Sequence, residues 1–223
     1  MTERSELAWG ELGLLPVVAQ DRLGGQVRMV AWASREALAE TLRSGRATFF
    51  SRSRGRLWTK GEQSGHTLAV HSVWADCDAD TLLYLVDPAG PSCHTGRPSC
   101  FFRSIGSDGA PVERSAEATA FLEELEATVL LRKRDGSAAR SYTRSLLDAG
   151  TAKIGDKVRE EADELARALA GESEERVAAE AADVVFHLMV GLAARDVPWR
   201  KVLEALAART GTSGHDEKAQ RTR

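Results

Sequence analysis

Cysteine is scarce in this chain, with three in 223 residues. An odd number cannot pair completely, and in a reducing compartment clustered cysteines bind metal or do chemistry more often than they form a disulfide framework. An excess of either charge is also missing: 30 Lys and Arg stand against 33 acidic residues, a net charge of −3. That balance gives no whole-chain reason for binding nucleic acid or a membrane surface, so an anionic ligand has to be held locally. The N-terminal MTERSELAWGELGLLPVV lacks a basic run followed by an apolar core and a cleavage site, and no stretch approaches the ~20 apolar residues of a membrane span. The chain therefore reads as cytoplasmic. Its 43% hydrophobic content suits one large core or two modest ones, and two domains are expected at roughly 100–200 residues each.

From Pro16 to about Phe102 the texture is β. Short β-branched and aromatic runs (QVRMVAW, ATFFSR, HTLAVHSVW, TLLYLV) are cut by Gly, Pro and Ser, as in strands joined by turns. One helix interrupts them, with Ser34 as N-cap, Leu38 and Leu42 at helical spacing and Gly45 at the C-terminal stop. RSIGSDGAPVERS, from Arg103 to Ser115, is poor in apolar residues and reads as a linker. Beyond it the periodicity becomes helical: Phe121, Leu122, Leu125 and Val129; then Ile154, Val158, Ala162, Leu165 and Leu169; then Val177, Ala181, Val184, Leu188 and Leu192. Trp199, Val202, Leu203 and Leu206 suggest a short fourth helix with Pro198 near its first turn. The final GTSGHDEKAQRTR has no apolar period and is expected to be a disordered tail.

All three cysteines lie between Asp76 and Cys100, together with three aspartates at alternate positions. If the segment is extended at its start, Asp76, Asp78 and Asp80 face one way and Cys77 the other. Convergent carboxylates without a neutralising cation favour a hard divalent ion, most simply Mg²⁺. Cys77, Cys93 and Cys100 supply three soft ligands for Zn²⁺ and leave a fourth position for water. An EF-hand does not fit, because Thr81 and Asp87 stand where Gly and Glu are needed. A deaminase zinc site would need H-x-E and P-C-x-x-C, and a zinc ribbon paired C-x-x-C. Three unrelated thiols beside a solvated acidic turn remain the plain alternative.

FFSRSRGRLWTKGEQSGH, DCDADTLL and GPSCHTGRPSCF, in that order, resemble phosphoribosyl-AMP cyclohydrolase over most of Gly13 to Phe102. The resemblance implies Zn²⁺ held by Cys77, Cys93 and Cys100, with Cys77 donated by the partner subunit of a homodimer, and Mg²⁺ at Asp76, Asp78 and Asp80. It also implies attack by a zinc-activated water on the adenine ring of the substrate. His66 and His71 are the candidates for moving the proton, His66 preferred because it ends the KGEQSGH segment. Arg52, Arg54 and Lys60 are positioned in sequence to meet substrate phosphates, or else form a basic solvated turn.

KVREEADELARAL and EAADVVFHL raise the second question. Glu161 and Glu164 project from the margin of one helical stripe, and Glu180 and Asp183 do so on the next helix. Carboxylates directed into a helix seam are costly unless paired or metal-bound, which suggests a Mg²⁺ cage; an ordinary solvated Glu-rich face is the alternative. SYTRSLLDAGTAKIGDKVREEADE followed by EAADVVFHL resembles phosphoribosyl-ATP pyrophosphohydrolase, of the all-α MazG-like group, over about Ala116 to Arg209. Its pattern, E-E-x-x-E then E-x-x-D, falls on Glu160, Glu161, Glu164, Glu180 and Asp183. Glu160 would serve as ligand or base, and Arg132, Lys133, Arg134 and Arg140 as phosphate partners. Arg159 stands where the family usually has glycine.

The expected architecture is thus a multidomain α+β chain. A β-rich cyclohydrolase domain with a mixed sheet and one or more helices spans 1–104, and a linker spans 105–115. An all-α MazG-like pyrophosphohydrolase domain spans 116–210, and a tail spans 211–223. The expected activity is bifunctional hydrolysis of nucleotide substrates in histidine biosynthesis, with Zn²⁺ and Mg²⁺ as cofactors. The rival readings are a zinc-stabilised nucleotide-binding or assembly module, and a protein with only one active domain.

Overall fold

The computed structural model describes residues 6–113, 120–134 and 141–210. The 211–223 tail and Arg140 lie outside the described residues. The chain forms two compact units, Met1–Ala120 and Phe121–Arg223.

The first unit is built on a six-stranded mixed sheet. Its strands are β1 (Leu15–Asp21), β2 (Val27–Ala33), β3 (Thr48–Ser51), β4 (Arg56–Thr59), β5 (Leu68–Ala75) and β6 (Leu82–Pro88), in the order β4-β3-β2-β1-β6-β5. β1 and β6 pair in parallel at the centre, and the remaining neighbours are antiparallel. Strict alternation puts Leu15, Val17 and Ala19 of β1 beside Leu82, Tyr84 and Val86 of β6 in one core, joined by Phe49 and Leu68. Period two therefore decides which face is buried.

Helix α1 (Arg35–Ser44) starts at Ser34, whose Oγ accepts from the Ala37 N–H at 3.2 Å, and stops at Gly45 in the left-handed region (φ 67°). A side chain at Gly45 would be strained by that φ, so glycine ends the helix there. Ala37 and Thr41 form the buried face of α1, while Leu42 is exposed.

Two segments differ from the sequence expectation. Asp76–Thr81 is not extended: β5 ends at Ala75, and a turn follows in which the Asp76 carboxylate accepts from the Asp80 and Thr81 N–H groups, both at 3.0 Å. A short Asp side chain offering acceptors to downstream amides competes with strand pairing. The stretch read as a linker carries a small hairpin, β7 (Arg103–Ile105) paired with β8 (Pro111–Glu113). Its Asp108-Gly109 turn places Gly109 at φ 77°.

The second unit is helical: α2 (Phe121–Arg134), α3 (Tyr142–Leu169), α4 (Glu174–Ala194) and α5 (Trp199–Arg209). α3 kinks at Gly150 (φ 86°). Val129, Leu146, Ile154, Val190 and Ala193 form its core. Gly191 allows close approach there, since a Cβ would lie 3.3 Å from the Ile154 side chain. α5 follows Pro198, and its first N–H, from Trp199, is capped by Glu126 of α2 at 2.7 Å.

The buried stripes are rotated from the apolar pattern. On α3, Ala162 and Leu169 are exposed whereas Glu161 and Ala168 are buried; on α4, Leu188 is exposed whereas Glu180 and His187 are buried. Polar side chains have taken seam positions that a binary pattern assigns to apolar ones. By length and composition α4 is also apolar enough to cross a membrane, although the sequence reading counted no such run.

Candidate active sites

In the sheet unit, a cleft of about 680 Å³ opens between the β3–β4 turn, the Lys60–His66 loop and the Ser92–Cys100 loop. Cys93, Cys100, Arg54, Lys60 and His66 line it, and His94, which the sequence reading passed over, joins them. The cysteine loop is held by its backbone. Ser92 N–H donates to Pro98 O and Cys93 N–H to Arg97 O, while Cys100 N–H donates to Arg28 O on β2. Ser99 Oγ adds a bond to Val27 O at 2.7 Å. These contacts turn a Gly- and Pro-rich run into a fixed platform for two thiols.

The thiols and the lysine affect one another. Burial pushes the Cys100 thiol up to about 11, and Cys93 beside it adds to the rise. Burial also raises Cys93, but hydrogen bonds led by the Thr95 side chain outweigh it and hold this thiol below its ordinary value. Burial lowers the Lys60 ammonium, against the pull of both thiols. Lys60 Nζ meanwhile donates to His66 O at 3.1 Å. Gly61 and Gly90 fit closely around His66: a Cβ on Gly90 would lie 2.8 Å from the imidazole. Two adjacent thiols of unequal proton affinity beside a cation form a donor set suited to a soft divalent ion, which favours both thiolates.

Other predicted residues lie elsewhere. Arg52 lies in a neighbouring groove, its guanidinium 4.5 Å from the Trp32 ring centre. His71 is exposed on β5 at the irregularity between Val70 and Ser72, and does not line the cleft. Cys77 is exposed on the Asp76–Thr81 turn, also outside the cleft. On that turn Asp76, Asp78 and Asp80 each bring one carboxylate oxygen within 4.8 Å of the others. The turn, rather than strand alternation, produces this convergence. Burial raises Asp76, but hydrogen bonds from Thr81 and Asp80 together outweigh it and lower its affinity for protons.

In the helical unit, Glu161 and Glu164 of α3 meet Glu180 of α4, again within 4.8 Å. Asp183 is exposed and stands outside this convergent group. Lys157 binds Glu160 and Glu161, each at 2.9 Å, and Arg176 binds Glu180 at 2.6 Å. The i, i+3 and i, i+4 spacing of these cations was available in the sequence. Burial holds the Glu180 carboxyl above its ordinary range, reinforced by Glu164 and Asp183 and opposed by Arg176. Glu180 is 2% exposed, and among the described residues its Oε2 has no hydrogen-bond partner. A buried carboxylate oxygen left unpaired among carboxylates matches the oxygen preference of a hard cation. Arg159 pairs with Asp156 at 2.7 Å and is largely exposed, so the residue standing at the family's glycine position does not crowd the seam. Arg132 and Lys133 lie in the last turn of α2; Arg132 donates to Thr143 Oγ1, and Lys133 to Ala193 O and Asp196.

Comparison with known proteins defines the class. Residues 29–102 match the phosphoribosyl-AMP cyclohydrolase family, and residues 122–210 match the phosphoribosyl-ATP pyrophosphohydrolase family. The fold is thus that of a two-domain hydrolase, with the cysteine cleft in one match and the carboxylate seam in the other.

Full-length relatives narrow this further. The histidine biosynthesis bifunctional protein HisIE of Parasynechococcus marenigrum is 45% identical over 92% of this chain and 93% of its own length. HisIE of Deinococcus radiodurans is 42% identical over 96% of both chains. The chloroplastic protein of Arabidopsis thaliana is 41% identical over 97% of this chain and 79% of its own. The chain belongs to this family of bifunctional histidine-biosynthesis enzymes.

Proposed function

We propose that the helical unit releases pyrophosphate from phosphoribosyl-ATP at the Glu161/Glu164/Glu180 seam, and that the sheet unit opens the adenine ring of the resulting phosphoribosyl-AMP in the Cys93/Cys100 cleft. The observation that carries this reading is the segregation of donors. Thiols converge in one unit, and carboxylates with an orphaned buried oxygen converge in the other.

In the cleft, Cys93 and Cys100 would hold Zn²⁺, with Cys77 completing the set from a second copy of the chain. Support for that sharing comes from Cys77 lying on an exposed turn outside its own cleft. In the seam, Glu161, Glu164 and Glu180 would hold Mg²⁺, with Asp183 and Glu160 at its margin. Asp76, Asp78 and Asp80 would hold a further Mg²⁺. Bound zinc supplies an electrophile and an activated water to ring opening, and magnesium neutralises polyphosphate charge.

The chain's own residues do the rest. Arg54 and Lys60, which line the cleft, bind phosphate. His66, closed in by Gly61 and Gly90, carries the proton between water and the opening ring. In the seam, Glu160 sits exposed at the edge, held below its ordinary proton affinity chiefly by Lys157, and orients the attacking water. Arg132, Lys133 and Arg140 receive the phosphates. Free thiols are kept as such in a reducing cytoplasm.

Separate assays of the two half-reactions, each with and without chelator, test this reading. Both activities are expected to be present and both to fall on metal removal. Chelator-insensitive ring opening or pyrophosphate release would overturn the corresponding site.

A further inference from the structure

His187 is a buried residue of the helical unit that the metal reading leaves without a task. It is 3% exposed and sits one turn beyond Asp183 on α4. Three polar groups face it. The Tyr142 hydroxyl, at the start of α3, lies 2.9 Å from Nε2. The Asp183 carbonyl oxygen lies 2.8 Å from Nδ1, and the Glu161 carboxylate lies 3.8 Å from the same nitrogen. Tyr142 and Phe186 also pack edge-on against the imidazole, with ring centres 5.8 and 5.2 Å away.

The hydrogen bonds fix a direction. A carbonyl oxygen only accepts, so Nδ1 carries the proton. With Nδ1 carrying the proton in the single-proton tautomer, Nε2 accepts and the Tyr142 hydroxyl donates to it. This tautomer is assigned from the bonding pattern.

The first turn of α3 is tied to the basic end of α2 as well. Arg132 donates to the buried Thr143 at 3.3 Å, and Arg144 donates to Lys133 O at 2.9 Å. The Tyr142–His187 bond thus adds a second tie between the segment that carries Arg132 and Lys133 and the helix that carries Glu180, beside the direct bond from Lys133 to Ala193 O on α4.

We propose that His187 is a positioning residue for pyrophosphate release. Through Tyr142 it orients the first turn of α3, and with the Lys133–Ala193 bond helps set the distance between the phosphate-binding end of α2 and the Glu161/Glu164/Glu180 seam, without itself touching substrate. The proposal rests on the seam being the pyrophosphohydrolase site.

His187→Asn and Tyr142→Phe cut the same bond from opposite ends. Asn keeps an N–H near the place of Nδ1 but is too short to meet Tyr142, and Phe keeps the packed ring. Each is expected to raise KM for phosphoribosyl-ATP about five- to tenfold, the scale of one lost hydrogen bond. kcat is expected to stay unchanged, as is Mg²⁺ affinity measured by calorimetry on the protein alone.

The double variant should be no worse than either single one, because a bond can be lost only once. His187→Gln, long enough to reach Tyr142, should return KM towards wild type. Multiplying losses in the double variant, or a fall in kcat or Mg²⁺ affinity at unchanged KM, would overturn the proposal. If His187→Asn fails to fold by circular dichroism, Tyr142→Phe decides alone, since its side chain is half exposed and its ring packing survives; an unchanged KM there refutes the positioning role. The underlying site is tested apart from this by Glu161→Gln: if that variant still releases pyrophosphate, the seam reading fails, whatever Tyr142→Phe shows.

Discussion

Arg176 reaches one turn along α4 to bind Glu180 at 2.6 Å, while the other oxygen of the same carboxylate is buried with no hydrogen-bond partner among the described residues. The guanidinium is half exposed and also lies 3.9 Å from Glu164. A half-exposed cation therefore holds the seam at the place where a divalent ion would bind. Arg176→Ala removes this competitor and leaves the carboxylates more negative. Mg²⁺ should bind the variant several-fold more tightly by calorimetry; weaker binding would show that Arg176 supports the ion instead of competing with it.

Glu180 sets function against stability. A buried carboxylate with an unsatisfied oxygen is costly to fold around. Glu180→Gln removes the charge at nearly constant shape. The metal-free variant should melt at a higher temperature than wild type in a thermal scan, yet release no pyrophosphate when Mg²⁺ is supplied. A lower melting temperature would mean that the Arg176 bond outweighs the burial cost.

How far the sequence foretold these sites depended on whether local periodicity governed them. The runs QVRMVAW, ATFFSR, HTLAVHSVW and TLLYLV supply β2, β3, β5 and β6, and Ser34 and Gly45 bound α1, whereas central strand β1 (Leu15–Asp21) matched none of those runs. The Asp76–Thr81 turn was misread as extended, because alternating Asp imitates a strand while the Asp76 side chain is occupied with downstream amides. The seam was legible as chemistry but not as geometry. Carboxylates directed into the helix seam were legible, and Glu161 and Glu180 are buried there, but Ala162, Leu169 and Leu188 of the apolar stripes are exposed and His187 is buried instead. His187 itself was invisible, since its partners Tyr142 and Glu161 lie far along the chain.

The two units should be separable by mutation, because each donor set is contained in its own unit. Glu161→Gln should stop pyrophosphate release from phosphoribosyl-ATP by at least about a hundredfold, the scale of losing a ligand or its supporting group. Ring opening of supplied phosphoribosyl-AMP should stay within about twofold of wild type, as expected of independent sites with no shared partners. Cys100→Ser should show the reverse pattern and lower the zinc content measured by atomic absorption. Loss of both activities in either folded variant would require a shared site.

The position of Cys77 permits the most demanding test. It is exposed on the turn after β5, whereas Cys93 and Cys100 lie together in the cleft. If a second copy supplies Cys77, then Cys77→Ala and Cys93→Ala subunits are each inactive in ring opening for complementary reasons. A mixed dimer then contains one intact set, Cys77 from one chain with Cys93 and Cys100 from the other, and one set lacking two thiols. Random mixing makes half of all dimers mixed, each with one of two sites working, so about a quarter of wild-type ring opening should return with stoichiometric zinc at those sites. Subunit exchange is verified by native mass spectrometry of differently tagged chains. If exchange is complete and activity stays absent, Cys77 does not complete the cleft of a partner, and the zinc set has to be sought among Cys93, Cys100 and their neighbours in one chain.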